Sequence, residues 1–313
     1  MSLRVVFMGT PEFSVPSLEA LLASGYEVVG VFTQPDKPKG RGGRVQQSPV
    51  KETALRHGLP VYQPVKIRLD GLEPLRALRP DVCVTAAFGQ ILSQDILDVP
   101  PMGTVNVHAS LLPRHRGASP IQWAILQGDE TTGVTTMLSD KGIDTGDMLL
   151  RRECPILPDD TADTLSRRLS DMGAELLVET LRRLEAGDCP RQKQDDTQST
   201  YDPMLNKDMG RIDFSRGTRD CLLRVRAMSP WPCAWVALKE GALKLWRVAP
   251  AEGCGAPGTV LRANRRDGLV VATADGAVEI LELQAPGGKR MDARAFLLGH
   301  PIDAGVSLGE VKL

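Results

Sequence analysis

The sequence lacks the motifs that mark several common classes of site. Its six cysteines form no CxxC pair, which argues against a structural zinc site and against a disulfide framework. No GxGxxG fingerprint follows the first predicted strand, and the chain has neither a Walker A loop nor a GxSxG nucleophile motif. We therefore expect free thiols in a reducing compartment and no dinucleotide, P-loop or serine-hydrolase site of these kinds.

Long apolar runs are also missing. None approaches the roughly 20 residues that span a membrane, and the N-terminus enters the apolar run Leu3–Phe7 without a signal-peptide pattern. The 313 residues, 42% hydrophobic and 25% charged, are typical of a globular protein with room for two domains. These features predict a cytoplasmic protein without membrane contact, and nothing in the sequence demands an oligomer, so we expect a monomer.

Charge is unevenly distributed along the chain. Residues 205–313 hold sixteen Lys and Arg against twelve Asp and Glu, a formal net charge of +4. Residues 1–204 hold twenty-two against twenty-seven, which gives −5. The basic C-terminal part favours an anionic partner, although a surface that merely carries additional arginines explains the same numbers equally well.

The first part of the chain alternates strands and helices. A strand over Leu3–Met8, a helix over Val15–Ala23 and a strand over Glu27–Thr33 form a βαβ unit, which implies a parallel sheet. The continuous apolar run Val82–Phe88 is typical of a central strand in such a sheet. We therefore predict an α/β fold in which residues 1–188 form an N-terminal Rossmann-like parallel-sheet domain.

A second domain is predicted after a polar segment. Residues 189–204 show no hydrophobic period and are typical of a linker. Beyond them, short runs of alternating hydrophobicity suggest a small antiparallel OB-like β-barrel domain over residues 205–313. These runs are Ala234–Leu238, Leu243–Val248, Gly258–Leu261, Leu269–Ala274 and Val278–Gln284.

Three polar residues, Asn106, His108 and Asp144, fall at or just beyond predicted strand ends. Asn106 and His108 lie two residues apart in one apolar run, so a strand places both on one face. An Asn amide can donate to the oxyanion of acyl transfer, a His can move the proton of an attacking amine, and an Asp can orient the imidazole. Satisfied polar groups at a sheet edge and an ordinary turn over Asp140–Asp147 are the alternative interpretation.

A basic segment follows the second predicted strand. Pro35–Gly43 contains two prolines and three glycines, so we expect no regular structure there. It carries Lys37, Lys39 and Arg41, and Arg44 follows. Cations on a mobile loop are suited to contact phosphates, and a solvated surface loop is an equally valid interpretation.

Several segments resemble one known family. The run Asn106–Ala118 is similar to the signature of the formyltransferases that use 10-formyltetrahydrofolate, and Gly142–Asp147 is similar to their second signature. Further segments narrow the resemblance to members of this family that act on an amine carried by tRNA. They are Phe7–Phe13, Val31–Pro38, Ser48–Lys51, Leu205–Lys207 with Arg211–Phe214, and Pro230–Pro232.

The resemblance implies transfer of a formyl group from 10-formyltetrahydrofolate to the amino group of methionine on initiator tRNA, for translation initiation. Asn106, His108 and Asp144 would be catalytic, with direct attack by the amine, no covalent enzyme intermediate and no metal. The implied folate-binding residues are Phe88, Gly89, Gln90, Ser110, Leu111, Leu112, Pro113 and Asp140. The implied tRNA-binding residues are Lys37, Lys39, Arg41 and Arg44, together with the C-terminal domain.

Three other functions compete with this one. A formyltransferase for a sugar-nucleotide amine or a glycinamide ribonucleotide, or a hydrolase that deformylates the folate, would need neither the basic loop nor the second domain. A non-catalytic RNA-binding protein would not need the three polar residues. Departures from the family pattern are Ala109, His115, Ser119 and Ser139, and none removes a catalytic side chain. We expect His115 to be a surface or loop residue.

Overall fold

The computed structural model describes residues 2–39, 44–238 and 241–310, and it describes only the backbone at positions 38, 39, 44 and 310. The chain divides into two compact units. The first consists of Met1–Pro120, Thr131–Pro155 and Ser166–Asp202, and the second of Ile121–Glu130, Ile156–Leu165 and Pro203–Leu313. The segment 189–204, for which we predict a linker, therefore lies in the first unit as far as Asp202.

The strands of the first unit are β1 (Arg4–Gly9), β2 (Glu27–Phe32), β3 (Lys37–Lys39), β4 (Arg44–Gln46), β5 (Val61–Tyr62), β6 (Val82–Ala86), β7 (Thr104–His108), β8 (Arg116–Gly117), β9 (Thr131–Leu138), β10 (Met148–Pro155) and β11 (Tyr201–Asp202). The helices that begin before residue 200 are α1 (Val15–Ala23), α2 (Pro49–Arg56), α3 (Leu72–Leu78), α4 (Gln94–Leu97), α5 (Pro120–Gln127) and α6 (Ala162–Ala186). Short helical turns occur at Glu12–Ser14, Ile67–Gly71 and Asp196–Gln198.

A seven-stranded sheet with the order β10-β9-β7-β6-β1-β2-β5 forms the centre of the first unit. The strands from β7 to β5 run parallel, whereas β9 and β10 are antiparallel to their neighbours. All five residues of β6 are buried, as are the last five of β1, because helices cover both faces of a parallel sheet. The predicted α/β class with a parallel sheet is confirmed.

The long helix α6 approaches β7 closely at one glycine. A Cβ atom at Gly173 would lie only 2.8 Å from Val107 Cγ1, so a larger residue there would push the helix away from the strand. Val107 lies between Asn106 and His108 on the opposite face of β7. The packing of α6 therefore helps to fix the strand that carries both polar residues.

The basic segment is more ordered than its composition predicts. Lys37–Lys39 and Arg44–Gln46 pair as a short antiparallel hairpin, in which Lys39 is opposite Arg44. Our expectation of no regular structure over Pro35–Gly43 is thus wrong for β3. The two strands pair although the residues between them are rich in glycine. Pro38 has no N–H to donate, and it is tolerated because each strand of a two-stranded ribbon is an edge strand.

The second unit contains one antiparallel sheet. Its strands follow the order β12-β13-β16-β15-β14, and β17 pairs with β16. They are β12 (Ala234–Leu238), β13 (Gly241–Ala251), β14 (Val260–Asn264), β15 (Gly268–Ala272), β16 (Ala277–Gln284) and β17 (Met291–Asp292). The helices are α7 (Thr218–Ala227) and α8 (Ala293–Gly299), with short turns at Asp208–Gly210, Phe214–Arg216 and Leu308–Glu310.

The predicted antiparallel β-domain is confirmed, and its closure into an OB-like barrel stays a prediction. Each of the five predicted runs overlaps one observed strand, and β12 has the predicted bounds of Ala234–Leu238.

Among the helices of the described residues, none has the length and apolarity that a membrane span requires.

All six cysteines are free thiols, in agreement with the spacing of the sequence, and they differ in burial. Burial raises the pKa of Cys221 to about 12 and raises that of Cys83 still further. Cys254 is exposed, and burial raises the pKa of the half-buried Cys189. Since the thiolate is the reactive form, the thiols of Cys83 and Cys221 should be unreactive in the folded protein.

We expect a water-soluble disulfide reagent to label Cys254 first and Cys189 more slowly, while Cys83 and Cys221 react only after denaturation. Peptide mass mapping of the native protein during labelling, with a Cys254→Ser variant as control, measures this order. Rapid modification of Cys83 or Cys221 in the native protein would contradict the burial described here.

Candidate active site

The strand β7 presents Asn106 and His108 on one face, as the period of two predicts. Thr85 on the neighbouring strand β6 pairs with Asn106 in register, and its hydroxyl donates to Asn106 Oδ1 at 2.8 Å. The amide nitrogen Nδ2 therefore points away from Thr85, and it donates a long hydrogen bond of 3.4 Å to Asp144 Oδ1. The amide hydrogens of Asn106 are thus directed toward the acidic loop.

His108 is buried at the end of β7, and its two ring nitrogens have different surroundings. Nε2 lies 2.9 Å from the carbonyl oxygen of His115. A carbonyl only accepts, so Nε2 must carry a hydrogen and donate it. Nδ1 lies 3.6 Å from Asp144 Oδ2, which is longer than a hydrogen bond. In the neutral imidazole Nδ1 is therefore the nitrogen that is free to accept a proton.

Asp144 occupies a tight turn with a left-handed backbone, φ 54°, a conformation that Asp tolerates better than most residues. A Cβ atom two residues later, at Gly146, would lie 1.7 Å from the carbonyl oxygen of Leu138, so only glycine fits there. The backbone N–H of Gly117 donates to Asp144 Oδ2 at 2.9 Å. The turn and this bond hold the carboxylate beside Asn106 and His108, and the structure thus brings the three predicted residues together.

A residue of the predicted linker holds this turn. The side-chain amide of Gln194 donates to the carbonyl oxygens of Asp144 and Gly146, each at 2.8 Å. Arg116 Nε donates to Gln194 Oε1 at 2.9 Å, which fixes the orientation of the amide. Fifty residues separate Gln194 from Asp144, and a polar segment without hydrophobic period contains no signal for such a contact.

His115 is in the loop, as expected, but it is not a surface residue. Its Nδ1 lies 2.6 Å from Asp202 Oδ2, and the two side chains are 3% and 2% exposed. Its backbone N–H donates to Thr200 Oγ1 at 2.8 Å. Sequence reasoning missed this pair because Asp202 is 87 residues away along the chain.

The residues Phe88, Gly89 and Gln90 form a fixed loop after β6. Gln34 Nε2 donates to the carbonyl oxygens of Phe88 and Gly89, at 3.3 and 2.9 Å. The side chain of Gln90 accepts from the backbone N–H of Ile67 at 2.6 Å and donates to the carbonyl oxygen of Pro64 at 3.0 Å. This loop is therefore held by two other segments and needs no ligand to order it.

Apolar side chains are exposed on both sides of these bonds. Ile91 follows Gln90 directly, and Val65 and Leu69 lie in segment 64–71, to which the Gln90 side chain is hydrogen-bonded. Their exposed fractions are 74%, 73% and 73%. Exposed apolar groups of this size commonly mark a ligand or partner surface.

The other predicted folate-binding residues lie after β7 and β9. Ser110 Oγ donates to the carbonyl oxygen of Arg114 at 2.7 Å, and Leu112 is fully buried against Met137 and Met148. The peptide bond between Leu112 and Pro113 is cis. Leu111 is half-buried in the same loop.

Asp140 is exposed at the start of the acidic loop, and its carboxylate is already used locally. Its Oδ1 accepts from the backbone N–H of Gly142 at 3.0 Å and from Thr145 Oγ1 at 2.7 Å. A cavity of about 450 Å³ adjoins this residue. The cavity is lined by Gln94, Leu97, Asp98, Pro100, Pro101, Met102, Gly103, Thr104, Leu138, Ser139, Asp140 and Arg191.

Neither this cavity nor a larger one of about 560 Å³ is lined by Asn106, His108 or Asp144 within the described residues. Arg79 and Asp81 line the larger cavity. They precede β6 and so lie at the amino ends of the parallel strands. Ligands of open α/β sheets bind at the carboxyl ends. We therefore place the candidate site at the three polar residues and not at the larger cavity.

Three of the four predicted tRNA-binding residues, Lys37, Lys39 and Arg44, belong to the basic hairpin formed by β3 and β4. Lys37 is exposed in β3, and the backbones of Lys39 and Arg44 pair across the hairpin. Arg41 lies outside the described residues.

Two family models match this chain. The model described as formyl transferase matches residues 3–181, and the model of the formyl transferase C-terminal domain matches residues 204–301. Among named relatives, the methionyl-tRNA formyltransferase of Trichlorobacter lovleyi is 51% identical over 306 residues, which is 97% of this chain and 96% of the relative. The methionyl-tRNA formyltransferase of Geobacter sulfurreducens is 48% identical over 309 residues, 98% of this chain and 97% of the relative.

Solved structures share the fold at low identity. An N-formyltransferase from Helicobacter canadensis, in complex with folinic acid and dTDP-3-aminofucose, matches with a TM-score of 0.68 at 20% identity, over 88% of this chain and 98% of that one. HypX from Aquifex aeolicus in complex with tetrahydrofolic acid matches with a TM-score of 0.64 at 20% identity, over 95% of this chain and 47% of that one.

We expect Gln194→Ala to lower the free energy of unfolding by about 1–3 kcal/mol, because the carbonyls of Asp144 and Gly146 lose their donor. Gln198→Ala is the matched control, since that amide bonds Asp195 at the surface, and it should cost less than about 0.5 kcal/mol. Urea denaturation of both variants measures the difference. Equal losses would show that Gln194 does not hold the turn.

Proposed function

Since the chain belongs to the formyl transferase family, we propose that it transfers a formyl group from 10-formyltetrahydrofolate to the amino group of methionine on initiator tRNA. The product would be N-formylmethionyl-tRNA for translation initiation. The proposal is supported by two relatives named methionyl-tRNA formyltransferase. They are 51% and 48% identical in sequence, over 97% and 98% of this chain. The observation that carries it is the match over nearly the whole chain, within which Asn106, His108 and Asp144 lie together.

Asn106 has the role of stabilising negative charge. When an amine attacks the formyl carbon, the carbonyl oxygen becomes an oxyanion that a preorganised N–H can bind. Asn106 Nδ2 is directed into the site because Thr85 occupies its Oδ1. Its bond to Asp144 is long, at 3.4 Å, so little is lost when the amide turns toward an oxyanion.

His108 and Asp144 have the role of moving a proton. Nδ1 of His108 takes the proton that the amine loses as its nitrogen bonds to carbon, and it returns a proton to the folate nitrogen as the old carbon–nitrogen bond breaks. Asp144 at 3.6 Å favours the positively charged imidazole that exists between these two transfers. The amine itself is the nucleophile, so no covalent enzyme intermediate forms.

The donor supplies the formyl group, and the loops beside the three residues suit it. Gln34 fixes the loop Phe88–Gln90, and the exposed Ile91 next to it offers an apolar surface for a flat ring. We propose that Phe88, Gly89, Gln90, Ser110–Pro113 and Asp140 bind the folate.

The basic hairpin and the second unit are proposed to bind tRNA. Residues 205–313 carry a net charge of +4, and Lys37 is exposed on β3. Lys and Arg on such surfaces neutralise phosphates and release counterions, which gives affinity without sequence preference. We further propose a cytoplasmic monomer with functional domains over residues 1–188 and 205–313, joined through 189–204.

An incubation with two different amine acceptors, and one without any acceptor, distinguishes this function from its alternatives. The protein is incubated with 10-formyltetrahydrofolate and methionyl-tRNA, a sugar-nucleotide amine, or buffer alone, and the formylated products are measured. Formylation of methionyl-tRNA alone supports the proposal. Formylation of the sugar amine, or folate hydrolysis at the same rate without any acceptor, would replace it with one of the alternatives.

We expect His108→Ala to lower formyl transfer by at least about 100-fold, because the proton relay is lost. Asp144→Asn should lower it to a similar extent, because the charged imidazole loses the carboxylate that stabilises it. Asn106→Ala should cost about 100- to 1000-fold through the lost oxyanion contact. Single-turnover rates measure the losses, and circular dichroism checks that the fold is retained. His57→Ala, which removes an exposed imidazole paired with Glu19, is the matched control and should keep full activity. Near-normal transfer by His108→Ala would refute the assigned role.

We expect Arg41→Ala to weaken tRNA binding and to reduce the slope of log affinity against log salt concentration by about one, the effect of one lost phosphate contact. Titrations of methionyl-tRNA at several salt concentrations measure the slope. The control is Arg56→Ala, since Arg56 is exposed beside Glu19 and outside the basic hairpin. An unchanged slope for Arg41→Ala would indicate a solvated residue without phosphate contact.

A further inference from the structure

We propose that the buried pair of His115 and Asp202 is a positioning device that selects the Nε2-protonated tautomer of His108. The inference rests on the proposed function, since it concerns the residue to which we assign the proton relay. It adds two positioning residues that do not touch substrate themselves. A chain of contacts connects Asp202 to the His108 ring through His115.

The first link is the pair itself. His115 Nδ1 donates to Asp202 Oδ2 at 2.6 Å, and both side chains are almost completely buried, at 3% and 2% exposure. In such surroundings an ionised group without its partner is strongly disfavoured. The pair therefore permits one arrangement of the loop around His115, and alternatives would leave a buried charge unmatched.

The second link is the backbone between the two residues. His115 has a left-handed conformation, φ 60°, which a non-glycine residue keeps only when its surroundings hold it. Its N–H donates to Thr200 Oγ1, and the N–H groups of Arg116 and Ala118 donate to the carbonyl oxygens of Thr200 and Asp202, at 2.9 and 3.0 Å. Segment 200–202 thus holds residue 115 through both its backbone and its ring.

The third link is the carbonyl group of His115. Held in this way, it faces His108 Nε2 at 2.9 Å and requires a hydrogen there. Without it, the carboxylate of Asp144 at 3.6 Å would be the main partner of the ring and would favour the hydrogen on Nδ1. That tautomer cannot accept a proton at Nδ1, so the pair keeps His108 in the form that the proposed reaction uses.

The experiment reads the tautomer directly. The chain has only four histidines, so single His→Gln variants assign the imidazole ¹⁵N signals of the full-length protein. We expect His108 to be Nε2-protonated in the unmodified protein, and Asp202→Ala to shift it toward a mixture with the Nδ1-protonated form. Formyl transfer by Asp202→Ala should fall by about 10- to 100-fold in kcat, the size typical of a misplaced catalytic group, with KM for both substrates unchanged within about twofold.

Two further variants serve as comparison. Asp202→Asn keeps an oxygen that can accept from His115 Nδ1, so it should restore the tautomer and most of kcat. Asp195→Ala removes an equal charge from the same segment. The Asp195 carboxylate accepts hydrogen bonds from its neighbours Thr197 and Gln198, and its loss should change neither readout.

Each outcome decides the proposal. An Nδ1-protonated His108 in the unmodified protein overturns it without any variant, so a failure of Asp202→Ala to fold leaves the test intact. An unchanged tautomer in Asp202→Ala, or equal losses in Asp202→Ala and Asp195→Ala, also overturns it. Since the tautomer is measured without substrate, absence of formyl transfer by the unmodified protein would refute the proposed function separately.

Discussion

One hydrogen bond determines what the candidate site can do: His108 Nε2 donates to the carbonyl oxygen of His115 at 2.9 Å. A carbonyl accepts only, so this contact assigns the hydrogen to Nε2 and leaves Nδ1 facing the carboxylate of Asp144. The proton-transfer role that we propose for His108 follows from this asymmetry. A relay needs one nitrogen that is free to take a proton and a nearby negative charge that stabilises the result.

The sheet provides the framework for this contact. The parallel pairing of β6 and β7 brings Thr85 opposite Asn106 and orients the amide, while the close approach of α6 at Gly173 holds the other face of β7. The acidic loop is then held from a distant part of the chain, where Gln194 donates to the carbonyls of Asp144 and Gly146. The strand β7 thus carries Asn106 and His108, and a turn held by Gln194 carries Asp144. Such rigid support is expected where catalysis depends on geometry.

The parts that sequence reasoning predicted are those with a local signal. The period of two in β7 places Asn106 and His108 on one face, and the turn-rich acidic loop contains Asp144, so the structure confirms that these three meet. Gln194 and Asp202 could not be predicted, because their partners lie 50 and 87 residues away. Their surroundings in sequence are polar, which is equally typical of a linker. Composition also does not predict the hairpin of β3 and β4, because Gly and Pro favour loops but do not exclude a short two-stranded ribbon.

The central claim is direct transfer of formyl to an amine carried by tRNA, and a rapid-quench single turnover tests it most directly. Protein in excess over formyl-labelled 10-formyltetrahydrofolate is mixed with methionyl-tRNA, and label on folate, protein and methionine is followed with time. We predict that label leaves the folate and appears on the methionine amine at one common rate, with none attached to the protein. Label that accumulates on the protein before it reaches methionine, or that is released as formate at the same rate without tRNA, would contradict the account.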